Sequence, residues 1–243
     1  MKEIDPTLPE WIERYATLGG QVDLDDGIEF TEDERLWYLL TLFAPMIFEC
    51  YAVVLHPFWV LKDHSIRESP NGLLPESDRI YEPIRWADFF SSYNKEFMLR
   101  TSLATKEEIG RLLLADGKWP SHIRFPAEGN MEDSQAQQIR DVIRDIHGDI
   151  YVNYYYTILK VSDRYDGKEI LLSAKLSELE LLWSREDIRD NPSAIYPNSK
   201  DWCIVTDYDS QMTYVGGSEE LISRLTMLRK CDIYQLEPKK GNK

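Results

Sequence analysis

Asp207 and Asp209, closing the run Trp202-Cys203-Ile204-Val205-Thr206, are the residues whose types and spacing come nearest to a reaction centre. Trp202, Ile204, Thr206 and Tyr208 alternate with Cys203, Val205, Asp207 and Asp209, and this period of two predicts a strand ending in acid at the sheet's edge. Two carboxylates on such a turn supply hard oxygen ligands. They could therefore hold a divalent cation against a phosphorylated or sugar-nucleotide ligand. Only 34 residues follow Asp209, too few for an acceptor domain, and no nucleotide-binding first half precedes it. Gly216-Gly217-Ser218 before a helix could offer N–H groups to a phosphate, but no Lys stands beside them and Glu219 and Glu220 oppose an anion. The plainer reading makes Asp207 and Asp209 close a hairpin whose second strand is Met212–Val215. Gly216 and Gly217 then permit positive φ at a sharp turn, Ser218 caps the next helix, and Leu221, Ile222, Leu225 and Leu228 form its core face.

The same Asp-x-Asp spacing occurs in haloacid-dehalogenase-type phosphatases, but near the N-terminus and with Thr or Val where this chain has Gln211. A different resemblance covers more residues. The segment Trp202-x3-Thr206-Asp207-x-Asp209-x3-Thr213-Tyr214-Val215-Gly216-Gly217-Ser218, with its Leu-Ile helix, resembles the closing segment of a group of uncharacterised bacterial proteins. Some immunity proteins of contact-dependent or polymorphic toxin systems are similar in size and acidity. The resemblance implies a soluble protein without an assigned activity, of immunity-like class, and transfers no catalytic residue.

Composition points the same way. Lys and Arg total 28 against 43 Asp and Glu, a net charge of −15, which disfavours nucleic-acid backbone and attracts basic partners. Cys50, Cys203 and Cys231 are few, odd in number and set among apolar residues, so they read as reduced and buried. The start, Met1-Lys2-Glu3-Ile4-Asp5-Pro6, has no signal-peptide core, and the longest apolar run, Met46–Leu61, is broken by Glu49, His56 and Pro57. The expectation is a cytoplasmic protein with no membrane span.

Other chemistry is sparse. Asp63 and His64 could exchange a proton but sit in a polar loop, and His56, His64, His122 and His147 lack metal-site spacing. No nucleophile elbow, Walker loop or paired-Cys motif occurs, and no cofactor is implied. Tyr151, Val152, Tyr154, Tyr155, Tyr156, Ile158 and Leu159 read as a strand with tyrosines on both faces and one face half exposed. Tyr151, Tyr154 and Tyr156 are therefore candidate contact residues.

The elements that must position these residues follow from caps and periodicity. Thr7/Glu10, Thr31/Glu34 and Thr105/Glu108 have capping-box spacing and predict helices over about 8–18, 32–43 and 106–114. Ile84–Tyr93 and Glu132–His147 have amphipathic spacing, the latter closed by Gly148. Met46–Leu61 reads as a central strand, or as a helix end running into one, ended by Pro57. Residues 62–83 and 185–200 read as loops, Lys168–Ala174 as a strand after the Asp166-Gly167 turn, Ser177–Trp183 as a helix and Asp232–Leu236 as a last edge strand. The sum is an α+β protein with a mainly antiparallel sheet in its C-terminal half and a helix-rich N-terminal half. It is expected to pack as one unit over 1–243, with a sub-boundary near 117–130. The function expected is a non-catalytic acidic interaction protein, immunity-like, binding a basic partner. The alternative is a metal-dependent enzyme acting through Asp207 and Asp209.

Overall fold

The computed structural model describes residues 1–16, 38, 42–68, 75–114, 117–161, 168–188 and 191–236. Along the chain these form β1 (Lys2–Ile4), α1 (Glu10–Ala16), β2 (Cys50–Leu55), β3 (Phe58–Leu61), β4 (Tyr81–Ile84), α2 (Trp86–Ser92), α3 (Lys106–Leu113) and β5 (Ile123–Arg124). There follow α4 (Asp133–His147), β6 (Tyr151–Tyr156), β7 (Ile170–Lys175), β8 (Ala194–Pro197), β9 (Cys203–Val205), β10 (Met212–Gly217), α5 (Glu219–Thr226) and β11 (Asp232–Leu236). Eight strands pair in the order β1-β7-β6-β8-β9-β10-β2-β11, and three more in the order β4-β3-β5. Every pairing is antiparallel. No helix among the described residues is long and apolar enough to cross a membrane.

The helix-rich N-terminal half is not what the chain forms. Sheet dominates throughout the described residues, β2 from the first half lies between β10 and β11, and the longest described helix, the 15-residue α4, belongs to the second half. The reason lies in Met46–Leu61. His56-Pro57 divides that run into β2 and β3, which enter different sheets, and part of the expected 62–83 loop returns as β4 to pair with β3. Proline has no N–H to continue a ladder, so the chain leaves one sheet and starts another there.

Both faces of the large sheet are covered, which explains why its strands are apolar at nearly every position. On one face Val54, Tyr154, Tyr156, Leu172 and Ile204 pack against Ile139 and Ile143 of α4 and Leu221, Ile222 and Leu225 of α5. On the other, Tyr155, Leu171, Tyr196 and Val205 meet Leu8, Ile12 and Ala16 around α1. Farther along that second face Val53, Leu55 and Tyr214 meet Phe58, Trp86, Phe89 and Phe90. Burying each such large side chain contributes about 1.5–3 kcal/mol. Tyr154, Tyr155 and Tyr156 therefore alternate between two covered faces instead of presenting a half-exposed one.

Local signals were reliable where a cap is made of near neighbours. Thr105 and Glu108 form both bonds of their capping box, as do Glu132 and Gln135 ahead of α4, and Gly148 ends α4 at φ 79°. Thr7 behaves otherwise: its hydroxyl donates to Asp5 Oδ1, and α1 starts at Glu10. The Thr31/Glu34 box and the Asp166-Gly167 turn lie outside the described residues. The 185–200 loop contains β8, whose four residues are all buried between β6 and β9. With Pro192 before it and Pro197 at its end, β8 is too short to show a period. Leu176–Ser184 is a 3₁₀ helix, and Asp232–Leu236 is the expected edge strand.

Asp232 ties the large sheet to the start of α2, just after β4. Its buried carboxylate accepts the Trp86 N–H at the start of α2 (2.6 Å) and the Arg85 Nε–H (3.2 Å). Burial raises its pKa above the usual carboxylate value, while those donors and the Arg85 charge pull it down.

Candidate functional site at the β9–β10 turn

β9 and β10 form the expected hairpin, with Val205 opposite Tyr214 and Cys203 opposite Gly216. The turn between them is closed by its own side chains. Asp207 Oδ1 accepts the Asp209 N–H at 3.0 Å, and Ser210 Oγ donates to the Met212 carbonyl at 2.9 Å. Gly129 and His56 then donate their backbone N–H groups to the Ser210 and Gln211 carbonyls (2.8 and 3.0 Å), fixing the turn to the 117–130 segment and to the end of β2. Gly129 has to be glycine: its φ is +68°, and a Cβ there would lie 2.7 Å from the Tyr208 carbonyl oxygen.

Behind the turn lies a buried polar network that sequence reasoning missed. Lys160, fully buried at the end of the 3₁₀ turn Ile158–Lys160, donates through Nζ to the carbonyls of Gly129 (2.9 Å), Asn191 (2.9 Å) and Thr206 (3.1 Å). The fully buried His56 ring lies beside it. Nδ1 is 2.6 Å from the Ala127 carbonyl, which can only accept, so Nδ1 carries the proton and Nε2 accepts from Thr213 Oγ1 at 3.0 Å. With its proton so used, Thr213 Oγ1 accepts from Thr206 Oγ1 at 2.8 Å. Burial lowers the His56 pKa to about 4, the Ala127 hydrogen bond opposes that shift, and the Lys160 charge adds to it. The signal in the sequence was a lone Lys inside the apolar run Ile158-Leu159-Lys160-Val161, where a charge needs a built set of acceptors.

In front of the turn lies a cavity of about 320 Å³, lined by Phe43, residues Ser102 to Thr105, Asp207, Asp209, Ser210, Gln211, Met212 and Tyr214. Among the described residues no Lys, Arg or His is in that lining. Burial pushes the Asp207 carboxyl above its usual value and the Asp209 charge adds to the shift, whereas the Asp209 N–H and the Lys160 charge oppose it. Asp209 is exposed. Tyr214 is 1 % exposed, its hydroxyl donates to Met212 Sδ at 3.3 Å, and its ring stacks on Phe43 at 5.6 Å between centroids. Burial raises the Tyr214 pKa, with Asp207 adding to the shift, so this hydroxyl stays neutral.

The remaining predicted site residues separate. Tyr154 and Tyr156 are fully buried and only Tyr151, 65 % exposed, reaches solvent. Gly216 and Gly217 are not turn residues: both lie within β10. A Cβ on Gly216 would fall 2.4 Å from the Phe48 ring, so close packing and not positive φ favours glycine there, whereas one on Gly217 would fall 2.7 Å from Leu221 Cδ2, a terminal methyl that would have to shift. Ser218 caps α5, accepting the Leu221 N–H at 3.3 Å. His64 Nδ1 is 3.7 Å from Glu68, not paired with Asp63. Among the described residues no group of three or more His, Cys, Asp or Glu is placed to hold a metal ion. No family model matches the chain, and no curated protein or solved structure matches it.

Proposed function

We propose that this chain is a non-catalytic, cytoplasmic interaction protein that covers a basic protein partner by charge complementarity, in the manner of an immunity protein. The observation that carries this reading is the acid excess, 43 Asp and Glu against 28 Lys and Arg. A field of that sign speeds encounter with a cationic surface and repels nucleic acid. The cavity beside Asp207 and Asp209, in whose lining no basic side chain stands among the described residues, supports the reading, as does the similarity in size and acidity to some immunity proteins. Contact through a tyrosine ladder drops out of the proposal, because Tyr154 and Tyr156 are fully buried.

The test is to express the basic products of the genes flanking this one, each with and without this chain. Relief of growth inhibition, together with co-purification that weakens as salt is raised, is the expected result. Unchanged growth and no co-purification at low salt would remove the reading.

A further inference from the structure

We infer that His64 and His122 form a site for one divalent transition-metal ion of the zinc class, independent of the interaction reading above. The two are far apart in sequence, and the small sheet brings them together. β3 pairs with β5 so that Val60 faces Ile123, and the Leu61 N–H donates to the His122 carbonyl at 2.9 Å. Just past β3 the chain turns through Asp63, at φ +65°, and the His64 N–H donates back to the Leu61 carbonyl at 3.1 Å. The two imidazole rings end 6.0 Å apart between centres, tilted by 42°. Metal–nitrogen bonds of about 2.0–2.1 Å place the centres of two ligating rings roughly 5–6.5 Å apart, so little movement is needed.

His122 is in the state that a ligand requires. It is 1 % exposed, and its Nε2 lies 3.1 and 3.2 Å from the Ser65 and Ile66 carbonyls. Carbonyls only accept, so Nε2 carries the proton and Nδ1 keeps a lone pair. That Nδ1 is buried and, among the described residues, has no hydrogen-bond partner. One ring N–H held by backbone carbonyls while the other nitrogen stays free is the support that orients metal-ligating histidines. His64 supplies the second nitrogen and the entrance. It is partly exposed, and its Nδ1 lies 3.7 Å from Glu68 Oε2, which also accepts the Ser65 N–H at 2.9 Å. A slight approach lets Glu68 accept the Nδ1 proton and leaves His64 Nε2 for the ion. Two protein nitrogens are fewer than a structural zinc site has, in keeping with the lack of a three-residue metal group among the described residues, so water fills the remaining positions and affinity is modest. Imidazole selects zinc, copper or nickel over magnesium and calcium, which take oxygen. The ion ties the 62–68 segment to the start of β5.

The experiment titrates the whole chain, isotope-labelled at its histidine nitrogens, with zinc chloride and separately with magnesium chloride at neutral pH. Zinc should bind one to one and move the NMR signals of His122 Nδ1 and His64 Nε2 together, with magnesium inert. Thermal unfolding should shift upward by several degrees at saturating zinc, because only the folded chain holds both rings in place. His64→Gln, at a partly exposed position, should lose at least the roughly 10- to 100-fold in zinc affinity that losing a supporting hydrogen bond costs, and Glu68→Gln should lose less. Absence of a saturable zinc effect overturns the site. So does zinc that moves the His64 signals while His122 Nδ1 stays put, an adventitious ion only, and so does full zinc affinity in His64→Gln. None of these outcomes bears on the interaction reading, whose own test is the basic partner.

Discussion

The two sides of the Asp207 turn make opposite use of polar groups. Behind it, Lys160, His56, Thr206 and Thr213 satisfy one another and three further carbonyls within the protein. In front of it, Asp207, Asp209 and Tyr214 line a cavity of about 320 Å³, and Asp209 is exposed. A closed network fixes structure, because any loss leaves a buried group unpaired, whereas an exposed carboxylate is hydrated and can be replaced at little cost. Substitutions behind the turn should therefore change stability far more than substitution of the exposed Asp209 in front of it.

The largest effect should come from Lys160→Met. It removes a buried cation whose Nζ serves three carbonyls and leaves all three unpaired, so urea unfolding should show a loss of about 3–5 kcal/mol. A loss below about 1 kcal/mol would mean that the rear network is not a closed structural unit.

The next concerns pH. His56 titrates near 4 in the folded chain, against about 6.5 for an unperturbed imidazole. Between these values the unfolded chain binds a proton that the native chain refuses. The contribution is therefore fully present above about pH 6.5 and is lost as pH falls toward 4, amounting to roughly 3 kcal/mol. Asp207 and Asp232, whose pKa values are raised, act in the opposite direction by taking up protons in the folded state first. The comparison must therefore be the difference between wild type and His56→Gln, measured across pH 4–7. A flat difference would show that His56 is not held neutral by its network.

The smallest effect, and the sharpest contrast, is Asp209→Asn. Asp209 is exposed and contributes its backbone N–H, not its side chain, to the turn, so thermal unfolding should move by no more than about 0.5 kcal/mol. A large loss would make the front of the turn structural as well.

Legibility in the sequence followed the range of the interaction. The Thr105 and Gly148 helix ends, the β9–β10 hairpin and the edge position of β11 each depend on residues close in the chain or on a clear period, and each was readable. The position of β2 between β10 and β11, the burial of β8 and the covering of both tyrosine faces depend on contacts across more than a hundred residues in some cases, as with Val54 against Thr213. No local pattern encodes those. At the candidate site Asp207 and Asp209 were legible as a strand-end pair. Lys160, His56, Tyr214 and the Ser102–Thr105 wall were not, because four separate stretches supply them.

By itself, then, the sequence determined an acidic α+β chain, the ends of α3 and α4, and a carboxylate-bearing turn before a capped helix, since net charge and local hydrogen bonding are properties of composition and of neighbours. Only the tertiary structure decided that both sheet faces are covered, that Gly216 packs against the Phe48 ring, and that the acid pair has a hydrogen-bonded cation behind it and a cavity before it. Burial and hydrogen-bond completion are set by which distant segments meet, and that is fixed when the chain packs.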